Sequence, residues 1–95
     1  MRLLARVESV IQISHRGIAV VPVFLSEFLV RIGSPIQLRT RDGRVKDTRI
    51  ASVEFVTGRD INRLAFMLPP DIAKWDAPEG TEIWLIEPSE LKENP

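Results

Sequence analysis

The chain contains no cysteine, no tyrosine and a single histidine. Without cysteine there are no disulfide staples and no thiolate metal sites, so stability rests on apolar packing and backbone hydrogen bonds. One imidazole cannot build a closed histidine-rich metal centre. Nucleophilic catalysis is reduced to a Ser–His pairing, and the neighbours Ser14 and His15 point apart at a strand end. No apolar run approaches the roughly 20 residues that a membrane-crossing helix requires. Arg2 and Arg6 interrupt the N-terminus before the apolar core of a secretory leader. A cytoplasmic location is therefore expected, and Met1 together with the acidic end fits a complete small protein. Most carboxylates fall at strand ends, turns or the C-terminal tail, where no acid–base pair converges. The expectation is a protein that is not an enzyme and has no cofactor and no metal.

What is present is the balance of an ordinary globular domain: 44% hydrophobic and 27% charged residues in a chain of 95. One domain over residues 1–88 is expected, followed by a flexible acidic tail at 89–95. Thirteen basic and thirteen acidic side chains cancel, but unevenly. Residues 1–70 hold eleven Lys and Arg against six Asp and Glu, and residues 71–95 hold two against seven. Such asymmetry marks either a basic binding surface or two charged faces that attract each other within the monomer.

The apolar pattern is that of strands. Leu3, Ala5, Val7, Ile11 and Ile13 fall on one side of an extended chain, and Arg6, Glu8 and Gln12 on the other. After the turn at 14–17, residues 18–25 are apolar on both sides and rich in β-branched residues, with Pro22 predicting a bulge or an edge. Residues 26–32 form a connection, and Gly33-Ser34-Pro35 turns into a third strand at 36–40. Asp42-Gly43 predicts a tight hairpin with positive φ values, and a fourth strand runs from about Val45 to Val56. Residues 57–60 break it. Leu64, Phe66 and Leu68 then alternate with Ala65 and Met67 in a fifth strand, which Pro69-Pro70 ends. A helical turn at 71–75, capped by Asp71, precedes a last strand at 81–86. Six short strands without a long amphipathic helix predict an all-β fold: a six-stranded antiparallel, Greek-key-like barrel, closed so that no strand edge is left unpaired.

The order of elements resembles the β-barrel second domain of the translational GTPases, such as elongation factor Tu and initiation factor relatives, over about residues 6–86. Arg6-Val7-Glu8-Ser9-Val10 looks like that family's opening strand. Arg16-Gly17-Ile18-Ala19-Val20-Val21 is similar to its Arg-Gly-Thr-Val-Val turn, and Ile32-Gly33-Ser34-Pro35-Ile36-Gln37-Leu38 to its Val-Gly-Asp-x-Val-x-Ile segment. Ile50-Ala51-Ser52-Val53-Glu54-Phe55 falls where the family has Val-x-x-Ile-Glu-Met. The chain departs by carrying Pro22-Val23 in place of a Gly-Arg pair and by about one extra residue between Gly17 and Gly33. It has no Gly-x-x-x-x-Gly-Lys-Ser/Thr loop, so the resemblance implies the barrel and not nucleotide binding.

Two groups of residues are candidates for partner binding. Arg39, Arg41, Arg44, Lys46 and Arg49 surround the Asp42-Gly43 turn, where five cations can meet phosphates or an acidic protein. Asp42 and Asp47 dilute them, and the four Phe residues lie in or beside core-like segments, away from any base-stacking platform. Apolar Val21, Val23 and Leu25, if uncovered, form an interaction patch. Trp75 is either an interface anchor or a plug over the barrel mouth, with the plug favoured. Trp84, beside Ile83 and Leu85, must turn one face outward. The expected function is a non-enzymatic module for protein–protein interaction, including self-association. An RNA- or ribosome-associated accessory protein is the alternative.

Overall fold

A computed structural model describes residues 1–25, 31–57 and 62–87. Among the described residues it is all-β apart from one 3₁₀ turn at Lys74–Asp76. Seven strands, β1 (Arg2–Ile13), β2 (Gly17–Phe24), β3 (Pro35–Arg39), β4 (Val45–Arg49), β5 (Ser52–Thr57), β6 (Asn62–Met67) and β7 (Glu82–Leu85), form one sheet in the order β4-β3-β7-β1-β2-β6-β5. Every pairing in it is antiparallel.

The expected fourth strand is therefore two strands, broken at Ile50 and Ala51. Ile50 is fully buried, and its N–H donates to Ser34 O on the β3 side (3.0 Å), whereas the N–H of Ala51 donates to Met67 O on the β6 side (2.8 Å). Consecutive residues thus hand the chain from one margin of the sheet to the other. No ladder joins β4 to β5 among the described residues, so the result is a curled half-barrel and not the closed six-stranded barrel expected. The cause is local. A strand whose backbone groups turn to opposite neighbours within two residues has to bend, and burial of Ile50 fixes that corner.

The concave face holds the core, in which Leu4, Val7, Ile18, Val20, Ile36, Leu38, Phe66, Leu68 and Ile83 pack together. Ile72 and Ala77, flanking the 3₁₀ turn, are buried with them. The expected helical turn at 71–75 is thus displaced. Its backbone is capped from the other end, since Ala73 N–H donates to Asp76 Oδ2 at 2.9 Å.

Two irregularities in β1 decide which side chains face outward. Its pairing slips between Leu3 and Ala5 against β7, and between Val7 and Ser9 against β2. Each extra residue reverses the alternation beyond it. Val10 therefore packs against the core, while Ile11 turns outward and is substantially exposed, opposite to the simple alternation. The irregularity expected at Pro22 is a bulge on the partner strand, at Glu8, and Pro22 itself lies beyond the β2–β6 pairing, which covers only Ala19 and Val20.

The hairpin after β3 also differs from expectation. Thr40 N–H donates to Arg44 O (2.9 Å) and Gly43 N–H to Thr40 O (3.1 Å), and only Gly43 has positive φ (+91°). This is a three-residue loop ending in a left-handed glycine, which suits Asp-Gly as well as a two-residue turn does. The expected break at 57–60 begins later, since β5 includes Thr57; its residues 58–60 and the 89–95 tail lie outside the described residues, as does most of the 26–32 connection.

Candidate functional site: an arginine-lined cleft on the convex face

Register places one row of side chains across five strands on the convex face. Val23 of β2 stands opposite Arg6 of β1, Arg6 opposite Glu82 of β7, Glu82 opposite Arg39 of β3, and Arg39 opposite Val45 of β4. Directly opposed side chains in antiparallel strands are about 5 Å apart at Cβ, close enough to interact. The row therefore reads apolar, cation, anion, cation, apolar.

The neighbouring row fixes this arrangement. Trp84, opposite Gln37, lies under the Arg39 guanidinium, 4.3 Å from its ring centroid. Arg39 Nε donates to Gln37 Oε1 (2.7 Å), Gln37 Nε2 donates to Asp47 Oδ1 (2.8 Å), and Arg39 Nη2 donates to Met1 Sδ (3.2 Å). Trp84 Nε1 donates to Glu82 Oε1 (3.0 Å), and the other oxygen of Glu82 is 3.8 Å from Arg6. Trp84 thus finds its place: its apolar ring is covered by a cation and its N–H is satisfied by a carboxylate.

Arg41 completes the site from the hairpin. Its guanidinium crosses Gly80 so closely that a Cβ there would come within 2.2 Å of Arg41 Nε, and Gly80 has φ of +90°. Only glycine permits both the backbone angle and the approach. Arg6, Arg39, Thr40, Arg41, Gly80 and Glu82 line a cleft of about 450 Å³. A smaller cleft of about 220 Å³ shares Arg6, Arg41 and Gly80 with it and extends to Val23 and Glu79.

The five basic residues singled out around the hairpin do not form one surface. Arg39 and Arg41 enter the cleft. Arg44 is held by both oxygens of Asp42 (3.2 and 3.1 Å). Lys46 shares the face of Leu38 and lies 3.7 Å from Asp76, beside a separate hollow lined by Thr40, Arg44, Val45 and Lys46. Arg49 is exposed at the end of β4. Thr40 Oγ1 donates to Asp42 Oδ1 and accepts from Arg44 N–H (2.9 Å). Thr40 first and Arg44 second hold the Asp42 carboxyl below the usual aspartate range.

The apolar candidates divide as well. Val21 is buried, whereas Val23, Phe24 and Leu25 are 42%, 41% and 43% exposed. Trp75 does not plug the sheet. It is 70% exposed, and Ile72 and Ala77 fill the space in its place. Phe55 is 69% exposed and not core. His15 sits in an exposed turn at φ 63°.

Arg6, Glu82 and Gly80 were not among the candidates. Arg6 and Glu82 look like ordinary solvent-facing strand charges in sequence, and only the β1–β7–β3 order joins them to Arg39. Among the described residues no group of three His, Asp or Glu side chains is placed to hold a metal ion. No helix among them is long and apolar enough to cross a membrane. The chain matches no protein-family model, no curated protein and no solved structure.

Proposed function

We propose that this domain is a non-enzymatic protein-interaction module and that its partner is a second copy of the same chain. The observation that carries this reading is the run Val23-Phe24-Leu25 at the end of β2, each about two-fifths exposed, with Val23 on the convex face opposite Arg6 and Phe24 on the other face, edge-on to Phe66. Singly exposed apolar residues are ordinary, but successive ones half-exposed on both faces of one strand end offer a partner apolar surface there. Val23 also lines the smaller cleft beside Arg6 and Arg41, so the patch is flanked by cations. Its complement is an apolar anchor with acidic neighbours, and the chain carries one: exposed Trp75, on a segment with Asp71, Asp76 and Glu79. Tryptophan is over-represented among residues that dominate interface energies, and opposite charge on the two surfaces sets their orientation.

The test is molar mass by light scattering after size exclusion. Val23→Glu and Trp75→Ala should each abolish association while leaving the circular dichroism spectrum and unfolding midpoint unchanged. A dimer indifferent to both substitutions contradicts the reading.

A second reading, an RNA- or ribosome-associated accessory protein in the cytoplasm, draws on the convergence of Arg6, Arg39 and Arg41 and on the short sequence motifs that resemble those of translation-factor barrels. Its signature is affinity for RNA that falls steeply as salt rises, because each neutralised phosphate releases counterions.

A further inference from the structure

We infer that the larger cleft is a binding site for a phosphate monoester, whose dianionic phosphoryl group is gripped by Arg6, Arg39 and Arg41. The inference shares Arg6 and Arg41 with the self-association reading but does not depend on the apolar patch.

Three guanidinium groups and one carboxylate line the space, leaving two positive charges to be matched by a ligand. A phosphate monoester carries between 1.5 and 2 negative charges near neutral pH, whereas a single carboxylate supplies one. Shape agrees with charge. The arginines reach the cleft from three directions: β1, β3 and the hairpin loop. Three terminal oxygens in a tetrahedral group can each meet a different donor, whereas the two coplanar oxygens of a carboxylate are satisfied by one arginine fork.

Arg39 is also arranged in advance. Arg39 is stacked on Trp84 and fixed through Nε to Gln37 and through Nη2 to Met1, which leaves three of its five N–H donors for a ligand. Arg41 lies over Gly80, exposed, and makes no hydrogen bond or ion pair among the described residues, so all its donors are open to a ligand. Glu82, tied to Trp84 and Arg6, keeps Arg6 in place without neutralising the site. Side chains fixed before binding lose less entropy on capture. The volume of about 450 Å³ lies within the 300–1,000 Å³ typical of small-molecule sites, so there is room for the organic part of the ester beside the phosphoryl group.

The experiment titrates ¹⁵N-labelled protein at constant ionic strength with glycerol 2-phosphate, inorganic phosphate, acetate and a short phosphoserine peptide, following the arginine Nε–H signals. Saturable shifts of the Arg39 and Arg41 signals with the phosphate probes, and none with acetate at equal ionic strength, are expected. Arg39→Leu and Arg41→Ala should each weaken the phosphate ester about tenfold, because charge-assisted hydrogen bonds are lost. Arg39→Lys keeps the charge but loses the fork, and should also weaken it. Glycerol 2-phosphate binding better than the peptide identifies a free small molecule as the ligand, and the reverse identifies a phosphorylated protein. Trp75→Ala, which removes the apolar anchor of the self-association reading and lies outside the cleft, should leave phosphate binding unchanged, which separates failure of this inference from failure of that reading. Acetate acting as well as phosphate, or variants that bind as the parent does, would overturn the proposal.

Discussion

Glu82 shows how one side chain acquires a role from its neighbours. By itself it is an acidic residue on a short strand. Between Arg6 and Arg39, with Trp84 donating to it, it is the centre of a cross-strand row. Thr81, the preceding residue, faces the other way and is fully buried, and its Oγ1 is a buried side-chain atom with no hydrogen-bond partner. A buried hydroxyl without a partner is destabilising. Thr81→Val, of nearly the same shape, should stabilise the fold by about 1 kcal/mol, read as a higher midpoint in urea with an unchanged slope. Gly80→Ala should do the opposite, costing about 1 kcal/mol for a positive φ and displacing Arg41 from the cleft, visible as loss of the phosphate-induced Arg41 shift. Asp42 offers a pH test. Its folded-state pKa is lowered by Thr40 and Arg44, so its contribution is present above the ordinary aspartate value and is lost as pH falls through the lower folded value. Carboxyl titration by NMR should therefore show Asp42 protonating below about pH 3.9, and returning toward that value in Thr40→Val.

At the scale of elements, the corner between β4 and β5 shapes the sheet. Ile50 is buried where the chain crosses from β3 to β6. Ile50→Ala should cost about 2–5 kcal/mol, measurable by chemical denaturation, and a loss below 1 kcal/mol would show that the corner is held by its backbone alone. Most of the strands were legible in sequence because two-residue alternation and Gly or Pro turns are local signals. Leu64, Phe66 and Leu68 face the core as that alternation requires. The bulges at Leu4 and Glu8 were not legible. A bulge depends on which partner strand is alongside, and one extra residue is enough to send Ile11 outward and Val10 inward. The β4–β5 break was hidden for a related reason: Ile50-Ala51 contains neither Gly nor Pro, and its bend comes from switching partners. The cleft was half legible. Arg39 and Arg41 stood out because they cluster in sequence, whereas Arg6 lies more than thirty positions earlier and meets them only through strand order.

For the whole molecule, the uneven distribution of charge is partly used up internally. Arg6–Glu82 and Lys46–Asp76 each join the basic residues 1–70 to the acidic residues 71–95, as two attracting faces within a monomer would. Arg6–Glu82 is exposed on both sides and contributes little to stability, whereas in Lys46–Asp76 the carboxylate is largely covered. Among what they leave are Arg41 over the cleft, the half-exposed run Val23-Phe24-Leu25 and exposed Trp75. The most direct test of the proposed self-association is the molar mass of the native chain and of Val23→Glu, measured by light scattering after size exclusion at low and at high salt. The account predicts a dimer whose mass barely changes with salt, because its core is apolar, and a folded monomer for Val23→Glu. A native chain that is monomeric at every concentration, or a dimer that Val23→Glu leaves intact, would contradict it.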